Sequence, residues 1–329
     1  MFSFNIKKII MSEYSIHKLT KTDFHKLIPL MKDCFGMDVN IKYFEWKFLN
    51  NPSGIVEGYY ATDEAGETAA YYGVIPETFK VNGSVKVIYQ SCDTMTHSNH
   101  RRRGLFQKLA ITCYENLRKE DKLFIYGFGG GQSTPGFLKF GWCIVFNMRY
   151  YFYPKHFNLF TKLIYKNVFE LSNLKELESL ALQSNIDSKV ASIKNFEILK
   201  WRLANPLQSY KIIAYKENDH FSSYLIYYFE NDKIIIFDFF VSNLTAGKNL
   251  FNYIKILLKN NNKKGIVSFC QEDSYFSATL KKYSFINNSL NFGPLRERTP
   301  FILYSTEDEQ KYMNNAKFWQ INSFEHDAL

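Results

Sequence analysis

Hydrophobic and polar positions alternate in two rhythms along the chain. Leu27, Leu30, Met31 and Phe35 recur at helical spacing after Thr22, a residue type that caps helix starts, so a helix is expected there. A second helix begins near Asn40, runs through Phe44 and Phe48, and stops at Asn51-Pro52, because proline cannot continue a helix. The pattern then becomes strand-like at 55–62, at 67–81 and, after the Asn82-Gly83 turn, at 84–97. Leu105, Leu109, Cys113 and Leu117 mark a long amphipathic helix. LFIYGF at 123–128 reads as a short buried strand, Pro135 to Gly141 as a short helix, and 143–154 as another strand.

The later region repeats this order. WKFLNNP at 46–52 recurs approximately as WRLANP at 201–206, 155 positions on at the tryptophan. Strands at about 208–217, 222–230 and 233–241 follow, then a helix at about 247–260, a strand at 265–270 and a helix at about 274–283. The fold class expected is α/β (α+β). Two related halves, each a mixed and mostly antiparallel sheet flanked by helices, are joined through helix and linker at 155–194 and pack on each other.

Composition narrows the function classes. A length of 329 residues suits about two domains, and 46% hydrophobic with 22% charged residues excludes a mainly disordered chain. No apolar run approaches the roughly 20 residues of a membrane helix. Lys7 and Lys8 interrupt the N-terminus before a secretory apolar core can form, so a cytoplasmic protein without membrane insertion is expected. Cys34, Cys92, Cys113, Cys143 and Cys270 are widely spaced with no CxxC, which predicts reduced thiols and no metal site. The net charge of +9 suits an anionic partner: nucleic acid, a membrane surface or a phosphorylated small molecule. Much of the excess is lysine dispersed in Asn-rich loops such as KNNNKKG at 259–265, the pattern of a solubilising surface. No nucleic-acid-binding motif is present, so no nucleic-acid partner is expected.

The stretch most informative for chemistry is TMTHSNHRRRGLFQKLAITCYENL at 94–117. A strand ends, a turn carries Arg101, Arg102, Arg103 and Gly104, and a helix begins. Backbone N–H groups, the helix dipole and three guanidinium groups converge there, and Gly104 lets the backbone approach a ligand without a Cβ. Such a turn can hold a pyrophosphate; its structural alternative is a basic surface turn ended by glycine.

Here the sequence resembles the GNAT acetyltransferases, whose acetyl-CoA loop follows Arg/Gln-x-x-Gly-x-Gly/Ala between the fourth strand and the third helix. Arg101 and Gly104 match; Phe106 stands where a small residue is usual, so either the helix turn is wider there or Phe106 points into the core. LFIYGF matches the fifth strand, and STPGFLKFGW at 133–142 the helix ending in a Gly-aromatic pair. The resemblance covers 12–154 as an acetyl-CoA-binding domain and, more weakly, 195–329 as a second GNAT-like domain. In that second domain TAGKNLF at 245–251 replaces the phosphate loop.

The resemblance implies one acetyl-CoA site, in the first half, with a second half that shapes the substrate cleft. Its contacts are Met95 and Thr96 for the pantetheine arm, Arg101, Arg102, Arg103, Gly104, Leu105 and Phe106 for the pyrophosphate, and Phe137 beside them. The activity implied is N-acetylation of a small-molecule amine by direct attack on the thioester, with amino sugars of surface polysaccharides among the acceptors. A non-catalytic CoA- or ligand-binding module is the alternative. Asp93, with Ser91 and Met95 on its face of the fourth strand, is the first candidate base; it could equally anchor the substrate ammonium or make a structural hydrogen bond. His97 titrates in a suitable range but sits in the turn. Many relatives use a tyrosine as the acid that protonates the leaving thiolate; Phe137 occupies that position, so Tyr126 or Ser133 would substitute, or the thiolate leaves unprotonated. The closing segment WQINSFEHDAL at 319–329 could fold back onto the cleft or leave its acids in solvent.

Overall fold

The structure, a computed structural model, describes residues 14–131, 133–160, 162–184, 188–287, 298–306 and 313–327; the N-terminal Lys7 and Lys8 lie outside them. The strands are β1 (Ser15–Lys18), β2 (Glu57–Thr62), β3 (Thr68–Val81), β4 (Ser84–Thr96), β5 (Phe124–Phe128), β6 (Cys143–Pro154), β7 (Val168–Glu170), β8 (Val190–Ser192), β9 (Lys211–Glu217), β10 (His220–Glu230), β11 (Lys233–Phe240), β12 (Gly265–Gln271), β13 (Ile286–Asn287), β14 (Thr299–Ser305) and β15 (Trp319–Gln320). The helices are α1 (Phe24–Phe35), α2 (Ile41–Phe44), α3 (Leu105–Lys119), α4 (Thr134–Lys139), α5 (Leu174–Gln183), α6 (Phe196–Leu203), α7 (Leu244–Asn260) and α8 (Tyr275–Lys282). The chain enters α1 through a 3-10 turn, Lys21–Asp23, that starts at Thr20 rather than Thr22; the Asp23 carboxylate accepts the Thr20 N–H at 3.1 Å.

The main sheet runs in the order β1-β2-β3-β4-β5-β14-β6-β12-β11-β10-β9-β7 and is mostly antiparallel. Its parallel neighbours are β4 with β5 and β11 with β12. The sheets expected for two halves are therefore fused. β6 is the seam: Cys143 to Met148 pair with β14, and Met148 to Pro154 pair with β12. β14, late in the sequence, completes the early sheet by inserting between β5 and β6. The stretch at 155–194 supplies a strand to each side, β7 at the edge against β9 and β8 between β3 and β15.

Helices cover both faces, which is why β3 reads as an almost unbroken apolar run rather than an alternating one. Tyr72 and Val74 pack toward α3 and α4, whereas Tyr71 and Ile75 pack toward α1 and α2. α7 and α8 cover one face of β9–β12, and α5 and α6 the other.

The repeated tryptophan motifs meet. Trp46 Nε1 donates to Trp201 O at 2.7 Å, Trp201 Nε1 donates to Trp46 O at 2.8 Å, and the rings stack at 5.6 Å. Reciprocal bonds of this kind are what a two-fold relation between the motifs produces. The motifs differ by one residue, since the Asn-Pro pairs 51–52 and 205–206 are 154 positions apart while the tryptophans are 155 apart. The extra residue is absorbed by a π-helical turn, Glu45–Leu49, where the second copy is α-helical.

Candidate active site

β4 and β5 pair only at Tyr89–Ile125 and Gln90–Tyr126, then part. Just beyond that point β4 bulges: Tyr71 faces Met95 and Gly73 faces Cys92, so Asp93 and Thr94 together oppose Tyr72. Asp93 takes a left-handed φ of 46°, a conformation that aspartate tolerates better than most side chains. The bulge turns the Asp93 carboxylate into the gap. A cavity of about 500 Å³ fills this gap and reaches Phe137 of α4, Ile302 of β14 and the Asn205–Gln208 turn after α6.

The arginine turn follows β4 and leads into α3. Gly104, with φ 75°, precedes α3 and offers no side chain to the first-turn N–H groups, which have no acceptor within the helix. Arg102 also has positive φ, at 63°. The three arginines are exposed; Arg101 Nε donates to Thr96 O at 3.3 Å, and Arg103 donates to Tyr14 Oη at 2.9 Å. The donors are thus held by their own stems and by local bonds while their charge stays at the surface. This arrangement fits a pyrophosphate. Phe106 points inward, edge-on to Phe137 at 5.0 Å and against Tyr72 and Phe140, so the second of the two expected accommodations is realised.

The cavity floor is a buried charge cluster. Lys47 Nζ, on the π-helical turn, lies 2.8 Å from Asp93 Oδ2 and 3.0 Å from Asp327 Oδ2. Burial pushes the Asp93 carboxyl up, against the pull of the Lys47 ammonium, and the Asp327 carboxylate adds to the rise. For Asp327 burial also raises, but the neighbouring Lys47 and His326 outweigh it and the direction is down. Lys47 itself is buried, yet the negative partners hold its ammonium well above the ordinary value. His326, tilted against Phe128 with ring centroids 4.3 Å apart, is held down to about 4 by burial and is neutral at pH 7.

Of the residues expected from sequence, Asp93, Ser133 and Phe137 line this cavity. Ser133 Oγ accepts the Gly130 N–H at 3.1 Å. Met95 does not line it: the His97 N–H bonds Ala69 O, so alternation turns the Met95 backbone toward β3, and its side chain is buried with Phe24 and Phe44. Thr94 takes its place in the lining, and Thr96 braces Arg101. Tyr126 does not line the cavity: it is fully buried, and its hydroxyl is donated to Glu77. His97 stays in the turn, accepting the Asn99 N–H at 3.3 Å. Tyr43, Lys47, His326 and Asp327 were not singled out. Their only signals were the repeated Trp motif, which contains Lys47, and the acids of the closing segment, which are buried rather than solvent-exposed.

The second half contains the corresponding parting of strands, β11 from β12 beyond Ile236–Ser268, and it is closed. Segment 321–325 runs into it: the Gln271 N–H donates to Ile321 O, and Asn322 Nδ2 donates to Asp238 Oδ1 at 2.7 Å. Lys194 sits 2.9 Å from Asp238, so this cluster is satisfied from within. At the start of α7 the Asn243 side chain accepts the Ala246 N–H at 2.9 Å and caps the turn that is left open on α3.

Residues 15–145 match the family model described as an acetyltransferase (GNAT) domain. No curated protein is similar to the chain at the level of sequence alone. Among solved structures, a probable N-acyltransferase from Enterococcus faecalis superposes with a TM-score of 0.69 at 13% identity, over 89% of this chain and 72% of that one. A GCN5-related N-acetyltransferase from Anabaena variabilis gives 0.66 at 12% identity, over 88% and 72%. Saccharomyces cerevisiae N-myristoyltransferase with bound myristoyl-CoA gives 0.61 at 14% identity, over 89% and 79%. The open α3 turn and the parted β4 and β5 both lie inside the matched segment, so residues 15–145 carry the features of the GNAT acetyltransferase domain that they match.

Proposed function

We propose that the chain transfers the acetyl group of acetyl-CoA to the amine of a small molecule, amino sugars among the candidates, at the cavity between β4 and β5. The observation that carries this reading is the asymmetry of the two halves: the first helix start and strand gap are open, and the second are capped and filled. The likeness to an enzyme with bound myristoyl-CoA supports a CoA thioester as the donor. We read residues 12–154 as the donor-binding domain, 155–194 as the link and 195–329 as a second, related domain that walls the acceptor side through Asn205, Leu207 and Gln208.

Acetyl-CoA supplies an activated acyl group. The N–H groups at the start of α3 and Arg101 to Arg103 hold its phosphates. Asp93 takes the proton that an ammonium must lose before its nitrogen can attack, and burial raises the proton affinity of its carboxyl. The thiol needs little help in leaving, since its ordinary pKa is only about 8.5; of the candidate hydroxyls Tyr126 and Ser133, Ser133 is the one that lines the cavity.

Thiol release measured with acetyl-CoA and a panel of amines, nucleotide-linked amino sugars included, checks the reading. Saturable, amine-dependent release is expected. CoA binding with no amine raising release above spontaneous hydrolysis would favour a binding module instead.

A further inference from the structure

The chain has 41 Lys and Arg against 32 Asp and Glu, yet its described cavity lining inverts that balance. Asp93, Glu230 and Asp327 line it, and among the described residues no lysine or arginine does. Lys47 lies behind the wall, its side chain 1% exposed and engaged by both aspartates. Arg202 is also behind, buried, with its guanidinium donated to the carbonyls of Phe324 and His326. Arg101 to Arg103 are exposed and do not line the cavity. The remaining polar groups facing the aspartates are the Tyr43 hydroxyl, Cys92 and the neutral His326.

The two carboxylates share the single ammonium of Lys47, and the Arg202 guanidinium pulls on Asp327 from behind the wall. Asp93 Oδ2 is sealed against the Lys47 ammonium at 2.8 Å, so the cavity meets the negative charge of the carboxylate pair rather than that oxygen itself. An incoming ammonium is attracted by the acids that line the floor and rim. An acceptor carrying phosphate or carboxylate would meet acids at the floor and rim with no lining cation to pair it.

We infer that the acceptor pocket is cation-selective, taking an amine that bears no anionic group, and that Asp327 with Asp93 sets this preference. The inference rests on the acyltransfer reading and narrows it: free amino sugars and simple amines or diamines fit, and nucleotide-linked amino sugars do not.

The test is equilibrium binding of three matched probes to the CoA-loaded protein at pH 7.5: 1,4-diaminobutane, 4-aminobutan-1-ol and 4-aminobutanoate, with a nucleoside-diphosphate amino sugar as a fourth. The first two should bind at least about tenfold more tightly than either anionic probe, since like charges in a desolvated site repel strongly. Asp327→Asn should weaken the diamine about tenfold and narrow the discrimination, with CoA affinity unchanged. Glu230→Gln, on the exposed rim, should narrow it less and guards against a folding defect in the first variant. Anionic probes binding as tightly as the diamine, or a preference unmoved in both folded variants, would overturn the inference. The amines can also be titrated into the free protein. The inference is thereby decided even if CoA fails to bind and the acyltransfer reading falls.

Discussion

Gly104→Asp is expected to weaken CoA binding a hundredfold or more while leaving the protein folded. A Cβ at position 104 would meet nothing within 4 Å, so the substitution creates no internal clash. The φ of 75° is left-handed, which costs an ordinary residue about 1–2 kcal/mol, less for aspartate. A carboxylate at a helix start is even favourable to the free helix. It would fill the same N–H groups that the phosphates need and repel the phosphates as well, giving α3 the self-capped start that Asn243 gives α7. A hundredfold loss corresponds to about 2.7 kcal/mol, within reach of two or three lost charge-assisted bonds. Gly104→Asn separates the causes, since it caps without charge; an intermediate loss is expected. Calorimetric titration with CoA gives both values, and unchanged affinity in folded Gly104→Asp would remove the turn from the site.

Asp93→Asn should lower turnover by roughly 10²–10⁴ at neutral pH, the usual range for losing a general base, with CoA affinity retained. Asparagine also tolerates the left-handed bulge position, so the backbone is preserved. Lys47 keeps its contact with Asp327, so no buried charge is orphaned. Part of the activity should return as pH rises, because a larger fraction of the amine is already neutral. Near-normal turnover of folded Asp93→Asn across pH 6–9 would make Asp93 structural.

Much of the fold is legible in local pattern. The helix at Leu105 to Leu117 and strands such as 55–62 follow from spacing alone, because each buries its faces within the first half. The arginine turn is legible for the same reason: its donors are consecutive in sequence. What pattern misses depends on distant chain. β14 enters the early sheet across more than 150 residues, and no local period announces that. Phe106 breaks the small-residue rule of the loop, yet only the aromatic wall of Tyr72, Phe137 and Phe140 shows where it goes. Lys47 resembles any surface lysine of an amphipathic helix until the one-residue π insertion places it between two aspartates. Asp327 reads as a solvent-exposed acid near the end of the sequence; it is buried because segment 321–325 fills the second strand gap and carries the chain onward to the first.

The central claim is that a single acyl-CoA site lies in the gap between β4 and β5. An experimental structure with CoA bound tests it most directly. The account predicts the pyrophosphate at the N–H groups that open α3, beside Arg101 to Arg103, and the pantetheine arm leading past Thr96 and Thr94 toward Asp93. CoA seated at the start of α7, with segment 321–325 displaced, would contradict it.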